Sequence, residues 1–205
     1  TIVFPERPNE NKNWMLKTEY FGAFPSFEIE MLKRGWHLAY IKNVTRWCLD
    51  EDLDLKKRFA EYLHEQYGLY HKCVPVGMSC GGLIASKFAA KYPELVSALY
   101  LDAPVMNLLS CPADIGIAKS GLLQEFIDAT GITLSELTYY REHPIDKIPL
   151  LLENNIPVII PEKGLYQNIL VTGTIGSRKN KFSNVSFFRT IFKAKSRNAY
   201  IRCKR

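Results

Sequence analysis

The chain has no histidine beyond His143, so its final stretch carries no imidazole. It has no apolar run long enough to cross a bilayer, which would take about 20 such residues. Its first residues, Thr-Ile-Val-Phe-Pro-Glu, include neither an initiator Met nor a charged segment followed by an apolar one. No secretory signal is therefore expected, and a start inside a longer gene product stays open. The five cysteines, Cys48, Cys73, Cys80, Cys111 and Cys203, form no Cys-x-x-Cys pair. An odd, scattered set of thiols argues against a disulfide framework or a zinc site and suits a reduced, cytoplasmic protein. Neither GxGxxG nor the phosphate-loop pattern ending in Gly-Lys-Ser/Thr occurs, which excludes nucleotide binding by those loops. No His/Cys/Asp group has ligand spacing, so neither a metal nor an organic cofactor is expected. There is no internal repeat and no low-complexity tract.

What is present is a globular composition: 205 residues, 47% hydrophobic and 23% charged. That is enough for one domain with a sizeable core. The formal charge of +6 is unevenly spread. Residues 162–205 hold eleven Lys/Arg against the single acid Glu162, a net of +10, while residues 1–161 carry a net of −4. We therefore divide the chain into a core over 1–161 and a basic tail over 162–205.

The stretch with the most chemistry in it is Val74-Pro75-Val76-Gly77-Met78-Ser79-Cys80-Gly81-Gly82. It contains Gly-x-Ser-x-Gly between a short apolar run and a helical pattern. That is the strand–turn–helix setting of a nucleophile elbow. Gly77 and Gly81 are read as the small residues such a tight turn demands. Ser79 is expected in a strained backbone conformation that raises its hydroxyl toward solvent.

The elements around it alternate in type. Thr1–Pro5, Trp14–Glu19, Trp36–Ile41, Lys72–Val76, Val96–Leu101 and Ile156–Ile160 read as strands from their apolar or β-branched content. Ser26–Arg34, Asp50–Tyr67 and Leu83–Tyr92 read as helices. In the second of these Leu55, Phe59, Leu63 and Tyr67 repeat every fourth residue, and Gly68 closes it. Ile117–Ala129 is a further helix closing near Gly131. Thr133 with Glu136 forms a capping box, and Asp146–Asn154 is a helix with Pro149 near its start. The alternation predicts an α/β fold, a mainly parallel sheet with helices on both faces. Residues 106–143 form a small helical lid over it. Sites in such sheets lie beyond the carboxyl ends of the strands, where both Ser79 and the Tyr20–Phe24 loop fall.

The segments Lys17–Phe24, Gly35–Tyr40, Gly77–Gly82, Tyr92–Val96 and Leu101–Val105 together resemble the α/β-hydrolase superfamily, in its single-domain esterase and prolyl-oligopeptidase-like branch. The resemblance spans about 14–160. It implies a serine hydrolase acting on a carboxylic ester or related acyl bond of a small molecule. Ser79 would be the nucleophile, a histidine its base, and an acid would hold the imidazole. The resemblance further implies that the oxyanion is met by the N–H of Cys80 and by one from Tyr20 or Phe21.

The chain departs from the family where the acid and histidine should follow the strand Ile156–Ile160. Only Glu162 stands there, and no histidine follows. The C-terminal part of the fold is thus expected to be incomplete. His37 reads as a core or edge residue, His64 as a surface one, and His71 as lying at the far end of the sheet. The remaining arrangement is Ser79 with His143 as base and Asp102 as acid. A hydrolase fold without activity is the competing reading. The tail has three: a divergent or frame-shifted end, an arm for nucleic acid or an anionic membrane, or a charged structural end.

Overall fold

The computed structural model describes residues 1–113 and 121–161, with the backbone of 198–201. Strands β1 (Ile2–Val3), β2 (Trp14–Lys17), β3 (His37–Tyr40), β4 (Val74–Met78), β5 (Leu99–Asp102) and β6 (Val158–Pro161) form one sheet with β7 (Asn198–Ile201). The order is β1-β3-β2-β4-β5-β6-β7. The inner run β3-β2-β4-β5-β6 is parallel, and β1 and β7 are antiparallel at the two edges. Parallel neighbours need helical crossovers. These are α1 (Ser26–Lys33), α2 (Asp50–Tyr67), α3 (Cys80–Lys91) and, before β6, α4 (Leu122–Thr130), α5 (Leu134–Leu137) and α6 (Ile148–Glu153).

Side chains alternate across each strand, so two cores form. Trp14 and Leu16 of β2, with Leu99 and Leu101 of β5, pack with Leu53 and Leu63 of α2 and with Leu83, Ile84 and Phe88 of α3. Met15 and Tyr100, from the same two strands, pack on the other face with Phe27, Met31 and Leu32 of α1. The mainly parallel α/β architecture matches the expectation. The helices of the region read as a lid fall at Leu122–Thr130, ended by Gly131 at φ +73°, and at Leu134–Leu137, where Thr133 and Glu136 complete their capping box. Residues 114–120 of that region, and the basic tail apart from the backbone of 198–201, lie outside the described residues.

One local expectation is corrected. The stripe of α2 is rotated from the one read in the sequence: Asp52, Leu53, Lys56, Ala60 and Leu63 face inward. Leu55 and Phe59 are half-buried, and Tyr67 is exposed. Two charged residues turn inward because partners meet them there. Lys56 Nζ donates to Asn43 Oδ1, and Asp52 Oδ1 accepts the Val44 N–H at 2.7 Å.

On the α1 face, Lys17 of β2 forms a buried ion pair with Glu28 of α1. Two desolvated charges are tolerable together and costly apart. Lys17→Met alone is therefore expected to lower unfolding stability by about 3–5 kcal/mol. The double change Lys17→Met, Glu28→Leu should recover most of that loss, and urea unfolding of the three proteins checks it.

Candidate active site at the elbow

Ser79 sits between β4 and α3 with φ +52° and ψ −121°. Such a backbone is unfavourable for a residue with a Cβ and persists only where its surroundings hold it. Here the Ser79 N–H donates to the Asp102 carbonyl at 3.1 Å, and the Ser79 carbonyl accepts from the N–H groups of Gly82 (2.9 Å) and Val105 (3.0 Å). Strand β5 and the turn after it thus clamp the serine. The side chain itself remains part-exposed. Ser79 is also the cap residue of α3, whose N-terminal N–H groups favour negative charge.

The turn is tight at Gly77, where a Cβ would lie 2.6 Å from the Gly81 carbonyl carbon and from Gly82 Cα. The second tight position is Gly82: a Cβ there would run into Pro104, whose Cα would be 2.7 Å away. Gly81, the small residue read from the motif, is less confined. Its Cβ would stand 3.3 Å from Glu19 Cβ and from Thr18 Oγ1. The motif spacing pointed to Gly81, but helix α3 leans on the loop after β5 one residue later.

The loop after β2 faces the elbow. Thr18 Oγ1 donates to the Gly81 carbonyl at 2.7 Å and lies 3.1 Å from the Val76 carbonyl, which accepts the Thr18 N–H at 3.2 Å, so the loop is tied to both sides of the turn. Tyr20 has φ +55°, and Ala103, after β5, has φ +42°. Strained backbone therefore clusters at the carboxyl edge of the sheet around Ser79. The Tyr20 N–H donates to Glu19 Oε1 at 3.1 Å, so of the two loop candidates for an oxyanion donor Tyr20 is engaged. Among the described residues, no backbone hydrogen bond of the turns and loops uses the Phe21 N–H or the Cys80 N–H. Cys80 is the first residue of α3, so its N–H has no intrahelical acceptor.

The Tyr20 hydroxyl lies near the Cys80 thiol and the Arg46 guanidinium. Burial, reinforced by Cys80, pushes the phenol up to about 12. Burial also raises the Cys80 thiol, so at neutral pH it is a buried neutral group and not a nucleophile. Arg46 is held by Glu125 of α4, Nε to Oε1 at 2.8 Å with a second bond from Nη2, and Glu125 also accepts from Trp47 Nε1 at 3.1 Å. Helix α4 is thus pinned to the loop that precedes α2.

The structure does not bring Asp102 and His143 together. Asp102 continues the Tyr100 side of β5 and lines a cleft of about 310 Å³ with Lys17, Ser26, Glu28 and Tyr100, on the α1 face. His143 is buried on the opposite face, with its ring edge-on to Tyr140 at 5.2 Å. Its Nδ1 accepts the Leu108 N–H at 3.1 Å, and burial lowers its pKa. That nitrogen is therefore occupied by backbone. His37 opens β3 opposite Trp14, at the amino edge of the sheet, far from the end where Ser79 sits. His64 Nδ1 bonds the Leu69 carbonyl, and His71 packs beside it, ahead of β4. Glu162 lies outside the described residues. No group of three or more His, Cys, Asp or Glu able to hold a metal occurs among the described residues.

A family model described as alpha/beta hydrolase fold matches residues 20–162. The chain belongs to the α/β-hydrolase fold family. Solved structures agree on the fold. The Staphylococcus aureus fluorophosphonate-binding serine hydrolase FphF is 16% identical, with 76% of this chain and 68% of that one covered at a TM-score of 0.54. The S. aureus S-formylglutathione hydrolase FrmB is 15% identical over the same shares, with a TM-score of 0.52. Mycobacterium tuberculosis MPT51 is 17% identical over 77% of this chain and 66% of its own, at 0.51. The chain thus spans about two thirds of the length of these hydrolase-fold structures. No curated protein sequence matches it.

Residues that the sequence did not single out are Thr18, Glu19, Asn43, Arg46, Lys56 and Glu125. Lys56 and Asp52 carried a signal, being charges four apart among the apolar positions of α2. Gly77→Ala and Gly82→Ala are each expected to cost the fold several kcal/mol, because backbone or a proline ring must move. Gly81→Ala should shift only the Thr18–Glu19 loop and cost about 1 kcal/mol. Thermal unfolding of the three variants distinguishes the two cases.

Proposed function

We propose that this α/β-hydrolase-fold protein is a serine hydrolase acting on a carboxylic ester or related acyl bond of a small molecule, with Ser79 as its nucleophile. The observation that carries the reading is the strained, part-exposed serine between β4 and α3, clamped by Asp102 and Val105. Ser79 Oγ would pass its proton to a base and attack the acyl carbonyl, whose π electrons move onto oxygen in the tetrahedral intermediate. The N–H groups of Cys80 and Phe21, together with the N-terminus of α3, would meet the oxyanion. Removing one donor from such a pair costs about 100- to 1000-fold in rate. A fluorophosphonate probe tests the reading. Labelling of the full chain that disappears in Ser79→Ala supports it; labelling equal in the two proteins, or none in either, rejects it.

A second reading, a hydrolase fold without turnover, is favoured by His143, whose Nδ1 is taken by the Leu108 N–H. Under it, His143→Ala should lower stability by about 1–3 kcal/mol, from the unsatisfied backbone left behind, and no ester turnover should exist to be lost. Turnover of p-nitrophenyl acetate by the wild type, abolished in His143→Ala at a temperature where that variant is folded, would instead make His143 the base and discard this reading.

A further inference from the structure

The Tyr20–Phe21 loop is joined to helix α2 by a line of buried polar groups. Lys56 is 0% exposed, Asp52 1% and Asn43 7%. Lys56 Nζ donates to Asn43 Oδ1; Asn43 Nδ2 donates to the Thr18 carbonyl at 2.7 Å and to Glu19 Oε2; Glu19 Oε1 accepts the Tyr20 N–H at 3.1 Å. At the other end Asp52, one turn before Lys56, accepts the Val44 N–H and so holds the segment that carries Asn43.

The direction of this chain follows from donor chemistry. An ammonium group only donates, so the Asn43 amide must turn its oxygen to Lys56. Its NH2 then faces Thr18 and Glu19. The Glu19 carboxylate only accepts, so one oxygen takes the Asn43 amide and leaves the other for the Tyr20 N–H. That last bond holds Tyr20 at φ +55° and carries the chain on to Phe21. Glu19 is also the residue against which Gly81, at the start of α3, is packed.

We propose that Lys56 and Asn43 are positioning residues for the oxyanion loop, and that α2 sets the loop's geometry through the Lys56–Asn43–Glu19–Tyr20 relay. The proposal deepens the Ser79 reading and rests on it for its kinetic consequence. The relay's hold on the loop is measurable without any reaction.

The test compares wild type, Lys56→Met, Asn43→Asp and Gly35→Ala in the full chain. Lys56→Met keeps length and removes the donor. Asn43→Asp keeps a partner for Lys56 but loses both donations to the loop and sets a second carboxylate beside Glu19. Gly35→Ala is a stability control, since its Cβ would stand 2.7 Å from the Arg7 carbonyl oxygen and Asn9 N. Two quantities are read for each: amide hydrogen exchange of the peptide covering residues 18–24, and the second-order rate of fluorophosphonate labelling at Ser79. The expected result is exchange at least tenfold faster in 18–24 for both relay variants, with labelling slowed about 10- to 100-fold, short of outright loss of a donor. Gly35→Ala should change neither, although it lowers the urea midpoint. Unchanged exchange in Asn43→Asp overturns the relay, as does labelling within twofold of wild type. If Lys56→Met does not fold, Asn43→Asp decides alone. If the wild type is not labelled at Ser79, the serine-hydrolase reading falls, and the exchange of 18–24 still decides whether the relay holds the loop.

Discussion

Everything near Ser79 depends on how closely two backbones approach at the turn from β4 into α3. At Gly77 the turn leaves no room for a Cβ, because the backbone of Gly81 and Gly82 occupies it. At Gly82 the obstacle is Pro104, in the loop that follows β5. The close packing allows the Asp102 carbonyl and the Val105 N–H to hold Ser79 from both sides of its peptide unit. A serine at φ +52° is costly in an isolated chain, so its presence here means that these contacts outweigh the strain. One consequence is that Ser79 stands at the start of a helix, at the positive end of its dipole.

The sheet keeps two chemistries apart. On the α1 face, beneath the carboxyl edge of β4 and β5, lie the Lys17–Glu28 pair, Tyr100 and Asp102. Burial, with Asp102 and Glu28 nearby, raises the Tyr100 phenol to about 12. On the other face Tyr20, Cys80, Arg46 and Glu125 border the elbow, and His143 lies deeper, under the loop after β5. The separation follows from the period of two along β5, which sends Tyr100 and Asp102 to one side and Leu99 and Leu101 to the other. An acid and a histidine that look suitably spaced along the chain are placed on opposite sides by that alternation.

Much of the fold was legible in order and type, because its signals are local. The apolar run of Trp14–Lys17, the left-handed glycine ending α2, the Thr133–Glu136 capping box and Pro149 near the start of α6 all act within a few residues. The elbow was legible for the same reason, since a turn of five residues states its steric demand in those residues. The inward face of α2 was not. Leu55, Phe59 and Tyr67 look like a core stripe, and only Asn43 and Val44, brought in from the preceding loop, explain why Lys56 and Asp52 are buried in their place.

The sequence by itself determined the alternation of strands and helices, the position of Ser79 and the lack of any histidine after His143. Each of these is a property of neighbouring residues or of composition. Tertiary structure alone decided that Gly82 and not Gly81 is the tighter glycine, that Asp102 and His143 face apart, and that the loop bearing Tyr20 and Phe21 hangs from a buried lysine on α2. These last features depend on contacts between residues 13 to 35 positions apart, whose partners no local pattern names.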